Sequence, residues 1–201
     1  MNILAHAYLS GQDTGLIVGN FIGDFIKGDP AGLRHHLLPG EIAGVRLHRA
    51  IDLFTDTHAD VAAVRDILHP RCHKYAGAAV DVFFDHFLAV HFQELTGQSL
   101  PEFTTDFYQT LLRHTTNFPT TALRMLDAMI RHDWLTHYQT LDGINRSLTG
   151  ISRRTAFPSG LETAVEDLQT YYVEIETRFL HYWPQLTAEV GRVKRLLAET
   201  S

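Results

Sequence analysis

The run Val45-Arg46-Leu47-His48-Arg49-Ala50-Ile51-Asp52-Leu53-Phe54-Thr55-Asp56 places apolar side chains at Val45, Leu47, Ile51, Leu53 and Phe54. That spacing predicts a helix with one broad buried side. His48, Asp52 and Asp56 recur every four residues and so rise along a single stripe. An imidazole and two carboxylates beside Arg46 and Arg49 suit a divalent metal with a phosphate next to it. The competing reading is a solvated face carrying a helix-stabilising His/Asp pair.

The same helical period recurs almost throughout, and alternating strand patterns are absent. The fold class expected is therefore all-α, a single-domain helical bundle over residues 1–201. A short apolar segment covers Met1 to Leu9, and a helix runs from Thr14 to Lys27 until Gly28-Asp29-Pro30 stops it. Pro39 is placed to open the helix carrying the His48 stripe. The next helix should end before Pro70, and a long one should span Cys72 to Leu95, closed by Gly97. Shorter helices follow from Pro101, Pro119, Trp134 and Asn145. The last long helical region begins after Pro158-Ser159 and is expected to kink or divide at Pro184.

A hydrophobic content of 45% against 20% charged residues fits a folded globular chain rather than a disordered one. Cys72 is the single cysteine, which excludes an internal disulfide. The absence of a basic n-region followed by a long apolar run, and of any run long enough to span a bilayer, predicts a cytoplasmic protein without membrane contact. The net charge of -6 argues against nucleic acid as a partner. Arginine outnumbers lysine 14 to 3, and the arginine fork suits phosphate. Thirteen histidines raise the prospect of metal or acid/base chemistry.

Several further constellations carry potential chemistry. Asp81 and Asp85, four apart and followed by His86, lie among Val80, Val82, Phe83, Phe84, Phe87 and Leu88. Carboxylates in such apolar sequence need a counter-charge, either an arginine or a metal. Asn20 and Asp24 share a stripe beside Gly19 and Gly23, where a second helix or a ligand can approach closely. His6 sits alone on an apolar segment, more in the manner of a satisfied core residue than of a ligand. Ser152-Arg153-Arg154 at a helix end is a candidate anion site. His132-Asp133 is a minor alternative, and Cys72, although between Arg71 and His73, has no supporting signal for a nucleophilic role.

Taken together and in order, Met1-Asn2-Ile3-Leu4-Ala5-His6, Gly19-Asn20 with Asp24, Gly44 to Asp52 with Thr55-Asp56, and Asp81 with Asp85-His86-Phe87-Leu88 resemble the acyl carrier protein phosphodiesterases. Ser152-Arg153-Arg154 and Glu176-Thr177-Arg178-Phe179 are also similar to that family. The resemblance implies an enzyme that removes 4′-phosphopantetheine from the serine of holo-acyl carrier protein. It further implies a divalent metal, with Mn²⁺ preferred, and an all-helical fold related to the HD phosphohydrolases. Asp85-His86 reverses the His-Asp order of HD proteins, so individual HD ligands do not transfer and spacing must rank them.

On that ranking, Asp24, His48, Asp52, Asp81 and Asp85 are expected to hold one or two Mn²⁺ or Mg²⁺ ions. His6 or His86 is expected to protonate the leaving alkoxide, and Asp52 alternatively orients water. Asp56 is an outer candidate. Arg46, Arg49, Arg153 and Arg154 form the expected basic mouth for the carrier, with Asn20 on the substrate side. The alternatives are hydrolysis of a nucleotide or other small phosphodiester, and a non-catalytic carrier-binding or metal-storing protein.

Overall fold

A computed structural model describes residues 3–199, and among these every regular element is helical. The chain forms α1 (Ile3–Ser10), α2 (Thr14–Ile22), α3 (Pro39–Thr57), α4 (Ala59–Cys72), α5 (Ala76–Val90) and α6 (Phe92–Thr96). It continues through α7 (Leu100–Leu112), α8 (Thr120–Arg131), α9 (Trp134–His137), α10 (Leu141–Ser152), α11 (Val165–Thr170) and α12 (Tyr172–Glu199). The result is a single all-α domain. Met1 and Asn2 lie outside the described residues.

The pairing of α2 with α3 organises the site. Asp13 caps α2 by accepting from the Leu16 amide at 2.9 Å. Pro39 opens α3, whose Glu41 reaches back to the Leu38 amide at 2.8 Å. Between them, Gly19 lies against the Glu41 backbone, and Gly44 against Gly19 and the Leu16 carbonyl. A β-carbon at either glycine would overlap the opposite backbone. The small-residue stripe is thus filled by a helix, and the contact brings Asn20 and Asp24 against His48.

Around this pair, α5 is buried on nearly every side through Val80, Val82, Phe83, Phe84, Phe87 and Leu88. α12 lays Phe179, Tyr182, Trp183 and Leu186 across α3, α4 and α5. The Tyr182 hydroxyl meets Thr55 Oγ1 at 2.6 Å, and Arg178 reaches the buried Asp60 carboxylate at 3.2 Å. These ties hold the apolar side of α3 against the core and turn His48 and Asp52 toward α1 and α2.

Two prolines lie inside helices rather than ending them. Pro70 lies inside α4, and Pro184 lies inside an unbroken α12. Proline forfeits one backbone hydrogen bond and crowds the preceding turn. In α12 that cost is met by burial of Phe179, Tyr182 and Trp183 before the proline and of Leu186 and Val190 after it. The break that does occur in the C-terminal region falls at Tyr171, between α11 and α12. The long helix expected from Cys72 is also divided, by a 3-10 turn at His73–Tyr75 and again between Val90 and Phe92. His73 has φ +48°, which an α-helix does not accommodate.

Candidate active site

The site is assembled on Asn20. Its amide nitrogen donates to the His6 carbonyl at 3.1 Å and to Ser10 Oγ at 2.9 Å. Ser10 in turn donates to the same His6 carbonyl at 2.8 Å. These bonds fix the orientation of the amide, so Oδ1 must be the atom that faces the two histidines. It lies 2.7 Å from His6 Nδ1 and 3.2 Å from His48 Nδ1. Each ring therefore donates its Nδ1–H to one oxygen, and each presents Nε2 to the opposite side.

On that opposite side stand two carboxylates. His6 Nε2 is 3.1 Å from Asp52 Oδ1, and His48 Nε2 is 3.1 Å from Asp52 Oδ2. Asp24 Oδ1 approaches the same His48 nitrogen at 3.3 Å. The ligand atoms of His6, His48 and Asp52 lie within 4.8 Å of one another, the one such group of three among the described residues. The imidazoles are buried, whereas the Asp52 and Asp24 side chains are 44% and 39% exposed. Nitrogen donors thus sit at the floor and oxygen donors at the mouth. A cavity of about 20 Å³, the size of a single water, adjoins His6, Asn20, Asp24 and His48.

The electrostatics follow from this geometry. Burial, with help from the His48 charge, lowers the His6 pKa despite the Asp52 contact. Burial also opposes a charge on His48, but hydrogen bonds to Asp24 and Asp52 outweigh it and raise the pKa to about 9. The same hydrogen bonds hold both carboxyls below their usual range, for Asp52 in spite of burial. A neutral His6 that donates from Nδ1 has a lone pair on Nε2, directed at an Asp52 oxygen. Two acceptors at 3.1 Å repel unless a proton or a cation lies between them. The donor set therefore fits a divalent ion, and Asn20 holds both rings from behind in the manner of an outer partner to such a site.

Of the residues selected from sequence, Asp24, His48 and Asp52 come together here, and His6 joins them through Nε2. Asn20, expected on the substrate side, has no open face in this arrangement. It is buried behind the rings, with its oxygen and amide nitrogen both engaged.

Asp85 is directed elsewhere. Its carboxylate oxygens accept from the Leu4 and Ala5 amides at 2.8 and 3.0 Å, so it caps the first turn of α1. Full burial pushes the carboxyl up to about 8, against the pull of those amides. Asp81, partly buried one turn earlier on α5, lies outside the convergent group. His86 is held between the Tyr138 carbonyl at 2.7 Å and the Tyr172 hydroxyl at 3.0 Å, and it links α5 to α9 and α12. Both of its nitrogens are occupied by that linkage.

Arg49 donates to the carbonyls of Ile26 and Gly28 at 3.0 and 2.7 Å, pinning the segment after α2 to α3. Arg46 is exposed on α3, and Asp56 is exposed one turn beyond Asp52. Arg153 and Arg154 are exposed at the end of α10, on the rim of a separate groove. His132-Asp133 closes α8, and Asp133 has φ +43° there.

Gly23 was not legible as a site residue. A β-carbon there would overlap the His48 ring, so only glycine leaves the imidazole its place. Its sequence signal is the four-residue spacing from Gly19, parallel to that of Asn20 and Asp24.

Known proteins place this geometry in context. The family model described as acyl carrier protein phosphodiesterase matches residues 1–186. A relative from Serratia proteamaculans with that name is 32% identical over 187 residues, covering 92% of this chain and 95% of its own. One from Klebsiella pneumoniae is 32% identical over 188 residues with the same coverage. One from Escherichia coli O157:H7 is 28% identical over 193 residues, 96% of this chain and 98% of its own. No solved structure matches the chain.

Proposed function

The chain belongs to the acyl carrier protein phosphodiesterase family, and from that premise we propose that it cleaves the phosphodiester between a carrier serine and 4′-phosphopantetheine, using a divalent ion held by His6, His48, Asp52 and Asp24. The observation that carries this reading is the pair of imidazoles tied back to one Asn20 oxygen, with both free nitrogens aimed at carboxylates. Two nitrogen and two oxygen donors suit Mn²⁺ better than Mg²⁺, which favours oxygen alone. When bound, such an ion supplies Lewis acidity toward a phosphate oxygen and a water.

The protein's own groups supply placement. Asn20 accepts the Nδ1–H of both histidines, which leaves Nε2 of each as the atom that faces the carboxylates and would meet an ion. Asp24 and Asp52, half-open to solvent, can orient a water brought to the phosphorus. Arg153 and Arg154 offer positive charge to an acidic carrier approaching a chain whose net charge is -6. No helix among the described residues is long and apolar enough to cross a membrane. We place the reaction in the cytoplasm, where the carrier substrate is expected.

The test is a comparison of substrates. Purified protein with Mn²⁺ is incubated with holo-carrier and, separately, with a panel of nucleotides and small phosphodiesters. Loss of the phosphopantetheine mass from the carrier, with little turnover of the panel, is the result expected. Turnover of the panel alone would reassign the enzyme to small phosphodiesters, and metal binding without any turnover would make it a binding protein.

A further inference from the structure

A groove of about 880 Å³ opens between α5, α8, α9 and α10. Its floor is apolar, with Ala78, Val82, Met125, Trp134, Tyr138 and Ile151 among its lining. Arg146, Arg153 and Arg154 stand on its edge, with Arg146 already paired to Asp142 at 2.7 Å. The volume lies in the range that encloses a ligand of ordinary organic size. Ile3 and Met125 line both this groove and the small cavity beside His6, Asp24 and His48, so the two spaces share a wall.

An apolar trough that shares Ile3 and Met125 with the cavity at the candidate metal site, and carries arginines along its edge, matches one part of the proposed substrate. The phosphate end of the pantetheine arm must reach the His/Asp cluster. The other end carries a thiol and any group esterified to it. Resting on the function proposed above, we infer that this groove receives the thiol end of the arm together with an apolar acyl chain attached to it. Charge complementarity selects this occupant: the arm is uncharged beyond its phosphate and suits the floor, and the arginine edge suits the acidic protein from which the arm extends.

Gly150 makes the inference testable without disturbing the fold. It lines the groove, and a β-carbon built on it would meet no atom within 4 Å. Leucine at this helical position should be tolerated and should narrow the trough. Ala78→Leu narrows it from α5, the opposite wall. Each variant is compared with the parent protein on carriers bearing the free thiol, a short acyl thioester and a long acyl thioester.

Both substitutions should lower the ratio of long-chain to free-thiol kcat/KM by about tenfold, the loss of one to two buried methylenes. If both substrates fall by the same factor, so that the ratio is unchanged, the acyl chain does not lie in the groove and the inference is overturned. It is equally overturned if neither substrate changes.

Direct titration of the unsubstituted protein with acyl-pantetheine of increasing chain length supplies a readout independent of turnover. Affinity should rise about three- to fourfold per methylene buried. A flat series contradicts the groove assignment. Failure of the parent protein to hydrolyse holo-carrier counts against the function alone.

Discussion

The rings of His6 and His48 lie with centroids 4.3 Å apart and 32° from parallel, joined through a single oxygen of Asn20. One comes from the first described helix and the other from the middle of α3. Neither ring could hold its orientation alone, because each Nδ1–H would otherwise be free to choose water. Asn20→Ala removes that common acceptor and should weaken Mn²⁺ binding and activity by roughly 10- to 100-fold. Titration of metal-free protein, read by the Mn²⁺ spin signal, checks the first effect. Unchanged affinity would remove Asn20 from the account.

Gly23 and Gly19 should separate the needs of the site from those of the fold. Gly23→Ala pushes the His48 ring from its place and should cost more than tenfold in activity, with a smaller effect on melting. Gly19→Ala drives a methyl into the Glu41 backbone at the α2–α3 contact and should destabilise the protein by about 1–3 kcal/mol or more. Thermal melts alongside turnover distinguish the two. Equal loss of stability in both variants would contradict the separation.

Asp85 caps the first turn of α1 and stands apart from the His6, His48 and Asp52 group. Asp85→Ala leaves two buried amides without acceptors and should cost about 1–3 kcal/mol. Asp85→Asn retains one acceptor and should cost less. Metal affinity measured on whichever variant remains folded should change little beyond the slackening of α1. Complete loss of binding in a well-folded Asp85→Asn variant would return this residue to the ligand set.

Much of this arrangement was readable in the sequence because it is local. The four-residue spacing of His48 and Asp52 and the parallel Asn20–Asp24 pair depend only on helical period, and the structure brings them together through the glycine stripe. The placement of His6 against Asn20 and Asp52 was not readable. A histidine on a short apolar helix looks the same whether it faces a core or a partner stripe far along the chain. Asp85 misled for a related reason. A buried carboxylate demands compensation, and the sequence cannot say that amides of α1 provide it. Pro184 does not divide α12, because burial on both sides of it outweighs one missing hydrogen bond.

The pH dependence of the metal-free protein follows from His48. Its folded pKa, raised to about 9, stands above the ordinary 6.5. The stabilisation from its charged contacts is therefore fully present below pH 6.5 and is lost as pH rises through about 9. His48→Gln should flatten denaturation midpoints across that window. Because an ion must displace the same proton, Mn²⁺ affinity should rise with pH up to about 9. A pH-independent affinity would mean that His48 is not a ligand.

Arg153 and Arg154 should act on encounter rather than on chemistry. Replacing both by alanine should raise KM for holo-carrier several-fold at low salt, with a smaller change in kcat, and added salt should shrink the difference. Steady-state kinetics at two ionic strengths decide this. A fall in kcat alone would place them at the reacting phosphate.

The central claim is that hydrolysis needs a cation held by His6, His48, Asp52 and Asp24. The most direct measurement is the intact mass of holo-carrier incubated with chelator-stripped protein, before and after Mn²⁺ is restored. Conversion to the apo mass only after Mn²⁺ returns is the predicted result; conversion at the same rate without metal would contradict it.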